Sequence, residues 1–257
     1  MSESIENYYD PMASDYHLLF ANWRETVAQE SETLDVLIRA HTGLPGRRVL
    51  DCSCGIGTQS IALALRDYDV TGLDLSEASL DRAAHEAESF DVGVRFAVGD
   101  LRALDTVEAQ YDVVLALDNA LPHLQTDEEL LMACCALFEK TAKDGLFMAT
   151  MRDYDLALTT RPRFLNEEVF DDPAGRRIIF QVWDWDPHAP RYKVHQFIVL
   201  QRQQEWRTSE YEGEYRALRR NELGSMLGQA GFSEIAWLMP EQSGYYQPMV
   251  TARRRGK

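Results

Sequence analysis

The sequence predicts an α/β protein built on a doubly wound, mostly parallel seven-stranded sheet. An apolar run ends at Asp51 and breaks into Gly55 and Gly57 ahead of a helical segment. Such a turn lets bare backbone press against a ligand. A second apolar run ends at Asp74, about twenty residues later, the spacing at which a carboxylate reaches ribose hydroxyls. Apolar and helical segments then alternate along the chain, which is the rhythm of βαβ units.

The alternation is regular between residues 48 and 151. Apolar runs predict strands over 48–52, 69–74, 94–98, 111–117 and 146–151, and the segments between them predict helices over 58–66, 76–88 and 127–140. Ser76 is a candidate cap for the second of these helices, and Asp144-Gly145 is a turn signal before the fifth strand. Five strands in this rhythm favour the doubly wound fold.

Beyond Asp153 the pattern changes to an alternation of polar and apolar residues. It covers 177–184, 192–201 and 206–215, around turn signals at Asp186-Pro187 and Ala189-Pro190, and predicts antiparallel strands. We therefore place an antiparallel β insertion, or cap on the core, at residues 155–218. A helix over 221–230 that stops at Gly231, and strands over 233–238 and 247–253, complete the predicted sheet.

The segment before the sheet is aromatic. Residues 8–20 are too aromatic for a disordered tail and too irregular for a single amphipathic helix. A helix that stops before Gly43 and Pro45 follows. Its apolar face consists of Trp23, Val27, Leu34 and Ile38. We expect residues 1–45 to form a lid and a helix, and the 257 residues to form a single domain.

Charge and composition disfavour several kinds of partner. The formal net charge of −16 repels phosphate backbones and anionic membranes, and a basic run at 253–257 is interpreted as a solvated tail. Residues 1–10 have neither the basic nor the apolar region of a secretory leader, and no apolar stretch approaches the roughly 18 residues of a membrane span. We expect a cytoplasmic protein without nucleic-acid or membrane partners, and leave its oligomeric state open.

The four cysteines show no metal-binding or redox spacing. Cys52 and Cys54 are separated by one residue, and Cys134 and Cys135 are adjacent, whereas zinc ligands and redox pairs have gaps of two residues or more. We expect small buried residues in a reducing compartment and no metal site.

Polar residues end several of the predicted strands. Ligands of a doubly wound sheet gather at the carboxyl ends of its strands, so these residues form a candidate site. One such residue alone is as readily explained by helix capping or loop solvation, but several at successive strand ends favour a site. The set consists of Asp51, Asp74, Asp100, Asp118, Asn119, Met151 and Arg152.

These residues resemble the class I S-adenosylmethionine (SAM) methyltransferases. Residues 49–57 are similar to the first motif of that family, Asp74 to its ribose-binding acid, Gly99-Asp100-Leu101 to its adenine-binding stretch, and 220–232 to its late helix. A nicotinamide enzyme would show a third glycine where this chain has Ser60. The resemblance implies SAM as cofactor and S-adenosylhomocysteine as product. The cofactor-binding residues that it implies are Asp51, Ser53, Gly55, Gly57, Asp74, Leu75, Asp100, Leu101, Leu117, Trp23 and Arg24.

Two further segments resemble the glycine and sarcosine N-methyltransferases. Residues 117–124 carry Asn119 and His123 as in the family run Gly-Asn-Ser-x-x-His-Leu, and 151–155 is similar to Arg-Asn-Tyr-Asp. Asp118 replaces the family glycine, and Asp153 replaces the asparagine after the arginine. The resemblance implies methyl transfer to the amine of glycine, sarcosine or a closely related amino acid, as in betaine synthesis. Alternatives are another small carboxylate, hydroxyl or amine acceptor, and a SAM-binding protein without catalysis.

The implied acceptor-binding residues include no assigned catalytic group. They are Asn119, His123, Met151, Arg152 and Tyr16, of which Asn119, Arg152 and Tyr16 would position the acceptor. The planar fork of Arg152 suits a small carboxylate, with a structural salt bridge to a neighbouring aspartate as the alternative. His123 would hold the acceptor carboxylate or pack at the start of a helix. Arg24 is included because the family uses a first-helix arginine for the methionine carboxylate.

Overall fold

The computed structural model describes residues 2–43, 47–172, 175–203 and 205–256. Met1, Pro45 and Lys257, which entered the predictions above, lie outside these ranges. Seven strands form the main sheet. They are β1 (Arg48–Asp51), β2 (Asp69–Asp74), β3 (Arg95–Val98), β4 (Tyr111–Ala116), β5 (Thr141–Thr150), β10 (Ser233–Leu238) and β11 (Met249–Arg253).

The main sheet has the predicted doubly wound topology. Its strand order is β10-β11-β5-β4-β1-β2-β3, and β1 lies between β2 and β4 with parallel pairing on both sides. Strand β11 runs antiparallel to both β5 and β10, so six strands share one direction. The switch in strand order at β1 and β4 opens a crevice at their carboxyl ends, where such sheets bind ligands. The predicted fold class is confirmed.

Helices cover both faces of this sheet. They are α2 (Trp23–Thr42), α3 (Thr58–Ala64), α4 (Glu77–Ser89), α5 (Asp127–Lys140), α6 (Tyr154–Thr160), α7 (Arg220–Ala230) and α8 (Pro240–Ser243). The apolar face predicted for α2 is confirmed, since all four of its residues are buried. Ser76 caps α4 by accepting a hydrogen bond from the Ser79 amide, and Gly231 ends α7 in the left-handed conformation.

A separate antiparallel sheet follows α6. It contains β6 (Phe164–Asp172), β7 (Gly175–Trp185), β8 (Arg191–Arg202) and β9 (Glu205–Arg216), in that order. The sequence predicted the last three. It missed β6 because that edge strand carries four carboxylates and no apolar alternation, and because Asn166 interrupts it with a φ of +53°.

The N-terminal segment lies between the two sheets. Helix α1 (Ser2–Met12) and a 3₁₀ turn (Tyr16–Leu19) form what we call the N-terminal cover, residues 2–20. Tyr8 is buried against β9, where its ring lies over Gly213. Asp10 accepts a hydrogen bond from Ser76 on the main-sheet side, and Tyr211 of β9 donates to Asp15 at 2.8 Å. The cover is therefore tied to both sheets across the carboxyl ends of the strands.

Two predictions need correction. Strand β5 begins at Thr141 rather than at residue 146, because the Asp144 amide donates to the Arg254 carbonyl and the turn at Asp144-Gly145 stays within the strand. Cys135 is exposed, whereas Cys52, Cys54 and Cys134 are buried as expected. Among the described residues no helix is long and apolar enough to cross a membrane, and no group of three or more His, Cys, Asp or Glu side chains is placed to hold a metal ion.

Candidate functional site

The loop after β1 owes its shape to two glycines with positive φ. Gly55 has a φ of +52° and Gly57 a φ of +90°, a region that side-chain-bearing residues rarely adopt. A Cβ at Gly57 would lie 3.1 Å from Ile61 and 3.2 Å from Ala83, so the loop packs closely on the helices beneath it. A Cβ at Gly55 would meet nothing within 4 Å, because this part of the loop borders open space.

Asp51 is a buried carboxylate, and only one of its two oxygens accepts a hydrogen bond from the described residues. Its Oδ2 accepts a 2.8 Å hydrogen bond from Ser60 Oγ, and its Oδ1 has no partner among the residues that the structure describes. Burial raises the pKa of Asp51 to about 7, against the lowering effect of the Ser60 hydrogen bond. The hydroxyl of Ser53, two residues on, is likewise buried without a partner in the described part of the chain.

Asp74 and Asp100 end the next two strands. Asp74 accepts backbone hydrogen bonds from Gly55 at 2.8 Å and Ser76 at 3.0 Å, so it ties the glycine loop to the end of β2. Burial nevertheless raises the pKa of Asp74. Asp100 pairs with Arg102, which also bonds Glu129 at 2.7 Å, and the hydrogen bonds from Arg102 outweigh desolvation to lower the pKa of Asp100.

These elements enclose a cavity at the switch point of the sheet, which we call the loop cavity. Of the predicted cofactor residues, seven line it, namely Ser53, Gly55, Asp74, Leu75, Asp100, Leu101 and Leu117. Asp51 and Gly57 do not line it but shape the loop from below. The N-terminal cover closes the other side of the cavity with Tyr9 and Tyr16.

Trp23 and Arg24 lie outside the loop cavity. The indole of Trp23 donates at 2.9 Å to Thr58 Oγ1, so Trp23 supports a cavity residue from behind. Arg24 bonds Ser89 at 3.0 Å and stacks on Phe90, with its guanidinium carbon 4.0 Å from the ring centroid. Its position at the start of α2 points Arg24 toward the end of α4, and its assignment to the cofactor stays a prediction.

A second cavity, of about 880 Å³, opens between the main sheet, the N-terminal cover and the antiparallel sheet. We call it the large cavity. Arg152 lines it from the loop after β5 and donates at 3.0 Å to the Tyr192 hydroxyl. Its guanidinium carbon lies 4.9 Å from the Trp183 ring centroid and 5.4 Å from that of Tyr215. Trp183, Tyr192 and Tyr215 thus surround the cation on the antiparallel-sheet side.

Arg152 has no acidic partner in the described part of the chain. The alternative interpretation paired it with a neighbouring aspartate, but Asp153 and Asp155 both bond Arg220, at 3.0 Å and 2.9 Å. Asp118 accepts from other donors. A partly buried guanidinium without a carboxylate is costly unless a ligand supplies the missing anion.

Asn119 adds a free donor beside Arg152. Its Oδ1 accepts from the Arg152 amide at 3.1 Å and from the Tyr154 hydroxyl at 3.0 Å, which fixes the side chain. Its Nδ2 is buried and makes no hydrogen bond to the described residues. Burial raises the pKa of Tyr215, and the nearby Asn119 side chain opposes part of that rise. Asn119 lines the large cavity, so an amide donor and a guanidinium face the same space.

His123 and Met151 do not line the large cavity. His123 Nε2 is 2.9 Å from the Tyr9 hydroxyl, and the ring lies 4.1 Å from that of Tyr215. Burial lowers the pKa of His123 to about 3, so the imidazole is neutral, and the tautomer decides which partner donates in its hydrogen bond with Tyr9. Met151 is buried in the core. His123 lines the loop cavity instead, next to Tyr9, and the assignments of His123 and Met151 to the acceptor stay predictions.

Three residues line both cavities, and they mark where the two meet. They are Tyr9, Tyr16 and Asp118. Tyr16, predicted to contact the acceptor, is therefore at the junction. Of the later tyrosines, Tyr215 lines the large cavity, Tyr192 bonds Arg152, and Tyr211 bonds Asp15 away from it.

Asp118 belongs to an acidic cluster that the sequence did not reveal. Its carboxylate accepts from Tyr245 at 2.6 Å, Tyr246 at 2.8 Å and Gln59 at 2.8 Å, while the same Gln59 amide donates at 2.8 Å to Glu30. Burial raises the pKa of both carboxyls. The five residues come from four separate segments, so no motif links them, and the replacement of the family glycine by Asp118 was the single available signal.

Comparison with known proteins identifies a methyltransferase domain in the part of the chain that forms most of the loop cavity. Residues 49–145 match the family model of a methyltransferase domain. Over 138 residues the chain is 28% identical to a glycine/sarcosine N-methyltransferase of Aphanothece halophytica, covering 53% of this chain and 51% of that protein. Over 130 residues it is 40% identical to a ubiquinone biosynthesis O-methyltransferase of Bordetella avium, covering 46% and 54%. The chain thus spans about half the length of the curated relatives it matches.

The likeness of fold extends further. The SAM-bound structure of CalS10, an amino pentose methyltransferase of Micromonospora echinaspora, superposes with a TM-score of 0.71 at 22% identity, over 88% of this chain and 91% of that chain. At that identity the likeness concerns the fold. The matched residues 49–145 and the fold are those of a class I SAM methyltransferase domain.

The residues of the loop cavity fit SAM. Among the described residues, the hydroxyl of Ser53 in the cavity wall and the Oδ1 atom of Asp51 beneath the loop have no partner, and both suit a polar, cationic ligand next to the glycine loop. The Asp74 carboxylate ends β2, where a ribose is held in nucleotide-binding sheets. The open space beside Gly55 admits the ligand against bare backbone. SAM is therefore the cofactor of this domain.

Proposed function

We propose that the protein is a SAM-dependent N-methyltransferase whose acceptor is an amine that also carries a carboxylate, with glycine, sarcosine and related amino acids as first candidates. The observation that carries the proposal is that two side-chain donors face the large cavity without an anionic partner among the described residues. Arg152 has no acidic partner and Asn119 Nδ2 no acceptor among the described residues, and both face the cavity that adjoins the cofactor. Two such donors suit a carboxylate.

On the cofactor side, the chain would hold SAM through groups already fixed in place. Asp74 would accept from the ribose hydroxyls, Leu101 would pack on the adenine, and the loop around Gly55 would bind the methionine end. Asp100, which is committed to Arg102, would shape the adenine site through that ion pair. SAM supplies a methyl group on a positively charged sulfur.

On the acceptor side, the chain would act chiefly by positioning. Arg152 and Asn119 would fix the carboxylate, so that the nitrogen points toward the junction of the two cavities. Holding the nitrogen in line with the sulfur–methyl bond contributes several kcal/mol through proximity alone. Tyr9 and Tyr16 would exclude water from the junction, and their ring faces favour a positively charged sulfur.

The size of the large cavity favours a second candidate acceptor. At about 880 Å³ it is far larger than a glycine molecule and lies within the range of drug-sized sites. A larger amino acid or an amino sugar acid would satisfy the same donors, and the O-methyltransferases among the relatives keep a hydroxyl acceptor open. A role in betaine-type synthesis and a cytoplasmic location belong to the same proposal, which leaves monomer and homo-oligomer equally open.

The deciding experiment is a product assay by mass. Purified protein is incubated with SAM and a panel of glycine, sarcosine, dimethylglycine, larger amino acids, amino sugars and phenols. A mass gain of a methyl group on one of the amine carboxylates supports the proposal. Transfer to phenols alone would favour an O-methyltransferase, and SAM binding without transfer to any compound would favour a protein that binds SAM without catalysis.

A further inference from the structure

The junction between the loop cavity and the large cavity contains one carboxylate among the described residues, Asp118. Asp118 and Glu30 are bridged by the Nε2 atom of Gln59, which donates at 2.8 Å to each. Glu30 is 7% exposed and also lines the large cavity. Two carboxylates that share one amide donor form a close acidic pair on the cavity wall.

The Asp118–Glu30 pair faces the large cavity, whose wall contains other polar groups without a partner among the described residues. Gln247 Oε1 is buried, lines the large cavity and has no donor among the described residues. The large cavity therefore has two donors that suit an anion, Arg152 and Asn119, and an acidic side formed by Asp118 and Glu30, with the acceptor oxygen of Gln247 in the same cavity. A zwitterion, with a carboxylate and an ammonium group, matches both.

We propose that the Asp118–Glu30 pair binds the ammonium group of the acceptor and takes up the proton that this group must lose before methyl transfer. This inference rests on the proposed function and assigns a proton acceptor to it. An amino acid is an ammonium ion near neutral pH, and its nitrogen has no lone pair until a proton leaves.

The step balances without any other reactant. One N–H bond of the ammonium breaks, and its proton passes to a carboxylate oxygen of the pair. The nitrogen lone pair then forms the C–N bond as the sulfur–methyl bond breaks and its electron pair returns to sulfur. The product is a methylated ammonium ion and a neutral thioether, and the proton on the pair leaves to solvent when the product departs.

The surroundings of the pair favour this role. Burial raises the pKa of both carboxyls, so they hold a proton more readily than exposed ones. The hydroxyls of Tyr245 and Tyr246 fix the Asp118 carboxylate and offset part of that rise. The titratable groups that interact with the pair are Asp51 from β1, Tyr16 of the N-terminal cover, and Tyr245 and Tyr246 after α8.

The test compares Asp118→Asn with wild type across pH. Asparagine tolerates the φ of +53° at this position as well as aspartate does, so the variant keeps the backbone. We expect kcat/KM for the acceptor to fall about 100-fold at pH 7, as for loss of a general base. We also expect it to recover as pH rises toward the pKa of the amine, because free amine then replaces the missing base. A purely structural role for Asp118 would leave the loss equal at all pH values.

Two further measurements keep the outcomes distinct. Glu30→Gln should give a smaller loss with the same alkaline recovery, and Asp184→Asn, an exposed carboxylate on β7, serves as the matched control. The dissociation constant for SAM should stay within about twofold in all three. A large loss of SAM affinity in Asp118→Asn would overturn the inference, since Asp118 would then bind the cofactor. If wild type methylates no amine at all, the proposed function fails before this test applies.

Discussion

Ser60 Oγ donates a 2.8 Å hydrogen bond to Asp51 Oδ2 in the core beneath the glycine loop. In a dinucleotide-binding loop a third glycine occupies the position of Ser60. Here the side chain fills that place and holds the carboxylate that begins the loop. The residue that argued against a dinucleotide site is thus also part of the loop cavity's electrostatics.

This contact predicts a pH dependence of cofactor affinity. The pKa of Asp51 is about 7 in the folded protein, and a cationic ligand favours the ionised form. We expect the affinity for SAM to fall about tenfold between pH 8 and pH 6 as Asp51 takes up a proton. Isothermal titration calorimetry in two buffers of different ionisation enthalpy would register the matching proton release near pH 6.5.

Ser60→Ala should shift the pH dependence of SAM affinity to higher pH. Loss of a hydrogen bond to the charged form raises the pKa of Asp51 further, so the fall in affinity should begin at higher pH than in wild type. Ser225→Ala, an exposed position on α7, is the control for a serine-to-alanine change. Affinity that stays constant from pH 6 to pH 8 in wild type would contradict the role of Asp51.

Arg152→Ala tests the acceptor's carboxylate. Loss of a hydrogen bond to a charged group costs about 1.5–3 kcal/mol, so we expect the Michaelis constant of the acceptor to rise about 10- to 100-fold. The dissociation constant for SAM should change little, since Arg152 lines the large cavity and not the loop cavity. Steady-state kinetics with each substrate varied would separate the two. Equal small effects on both constants would contradict the assignment, and Arg163→Ala, an exposed arginine paired with Asp184, is the control.

Arg24→Ala should leave SAM affinity unchanged. The family resemblance assigned Arg24 to the cofactor, but its guanidinium stacks on Phe90 and bonds Ser89 outside the loop cavity. We expect a stability loss of up to about 1 kcal/mol from the stacking contact, measured by urea unfolding. A SAM dissociation constant raised tenfold or more would instead support the assignment of Arg24 to the cofactor.

Most helices and strands of this chain were predictable from its sequence, but the chemistry of its site was predictable only in part. Strands β2 and β10 and helix α5 have the predicted bounds, because local periodicity and capping residues determine them. Arg24 and His123 followed from motif alignment, which does not determine where a side chain points. Distant segments contribute Glu30, Gln59 and Tyr245, which meet only in the folded chain, so no local sequence pattern predicts their contact.

His123 predicts how stability depends on pH. Its pKa is lowered to about 3 in the folded protein from 6.5, so protonation favours the unfolded chain. The stabilisation that its neutral form provides is complete above pH 6.5 and is lost as pH falls toward 3. At pH 5 the loss is about 2 kcal/mol.

A matched variant isolates that effect. Asp51, Glu30 and Asp118 have raised pKa values and act in the opposite direction, but they are common to wild type and His123→Gln. Unfolding free energies from urea titrations at pH 7.5 and pH 5 should therefore show the stability advantage of wild type shrinking by about 2 kcal/mol at the lower pH. An advantage that is the same at both values would mean that the imidazole is protonated in the folded protein.

Gly213→Ala tests whether the N-terminal cover closes the site. The Cβ of alanine would lie 3.0–3.2 Å from ring atoms of Tyr8, so the ring must move away from β9, and α1 with it. Because Tyr9 follows on the same helix and lines both cavities, we expect weaker SAM binding and faster proteolytic cleavage within residues 2–20. Gly93→Ala, where a Cβ meets nothing within 4 Å, should change neither property. If Gly213→Ala binds SAM as wild type does while its cover is cleaved faster, the cover does not contribute to holding the cofactor, and Tyr9 lines a site that forms without it.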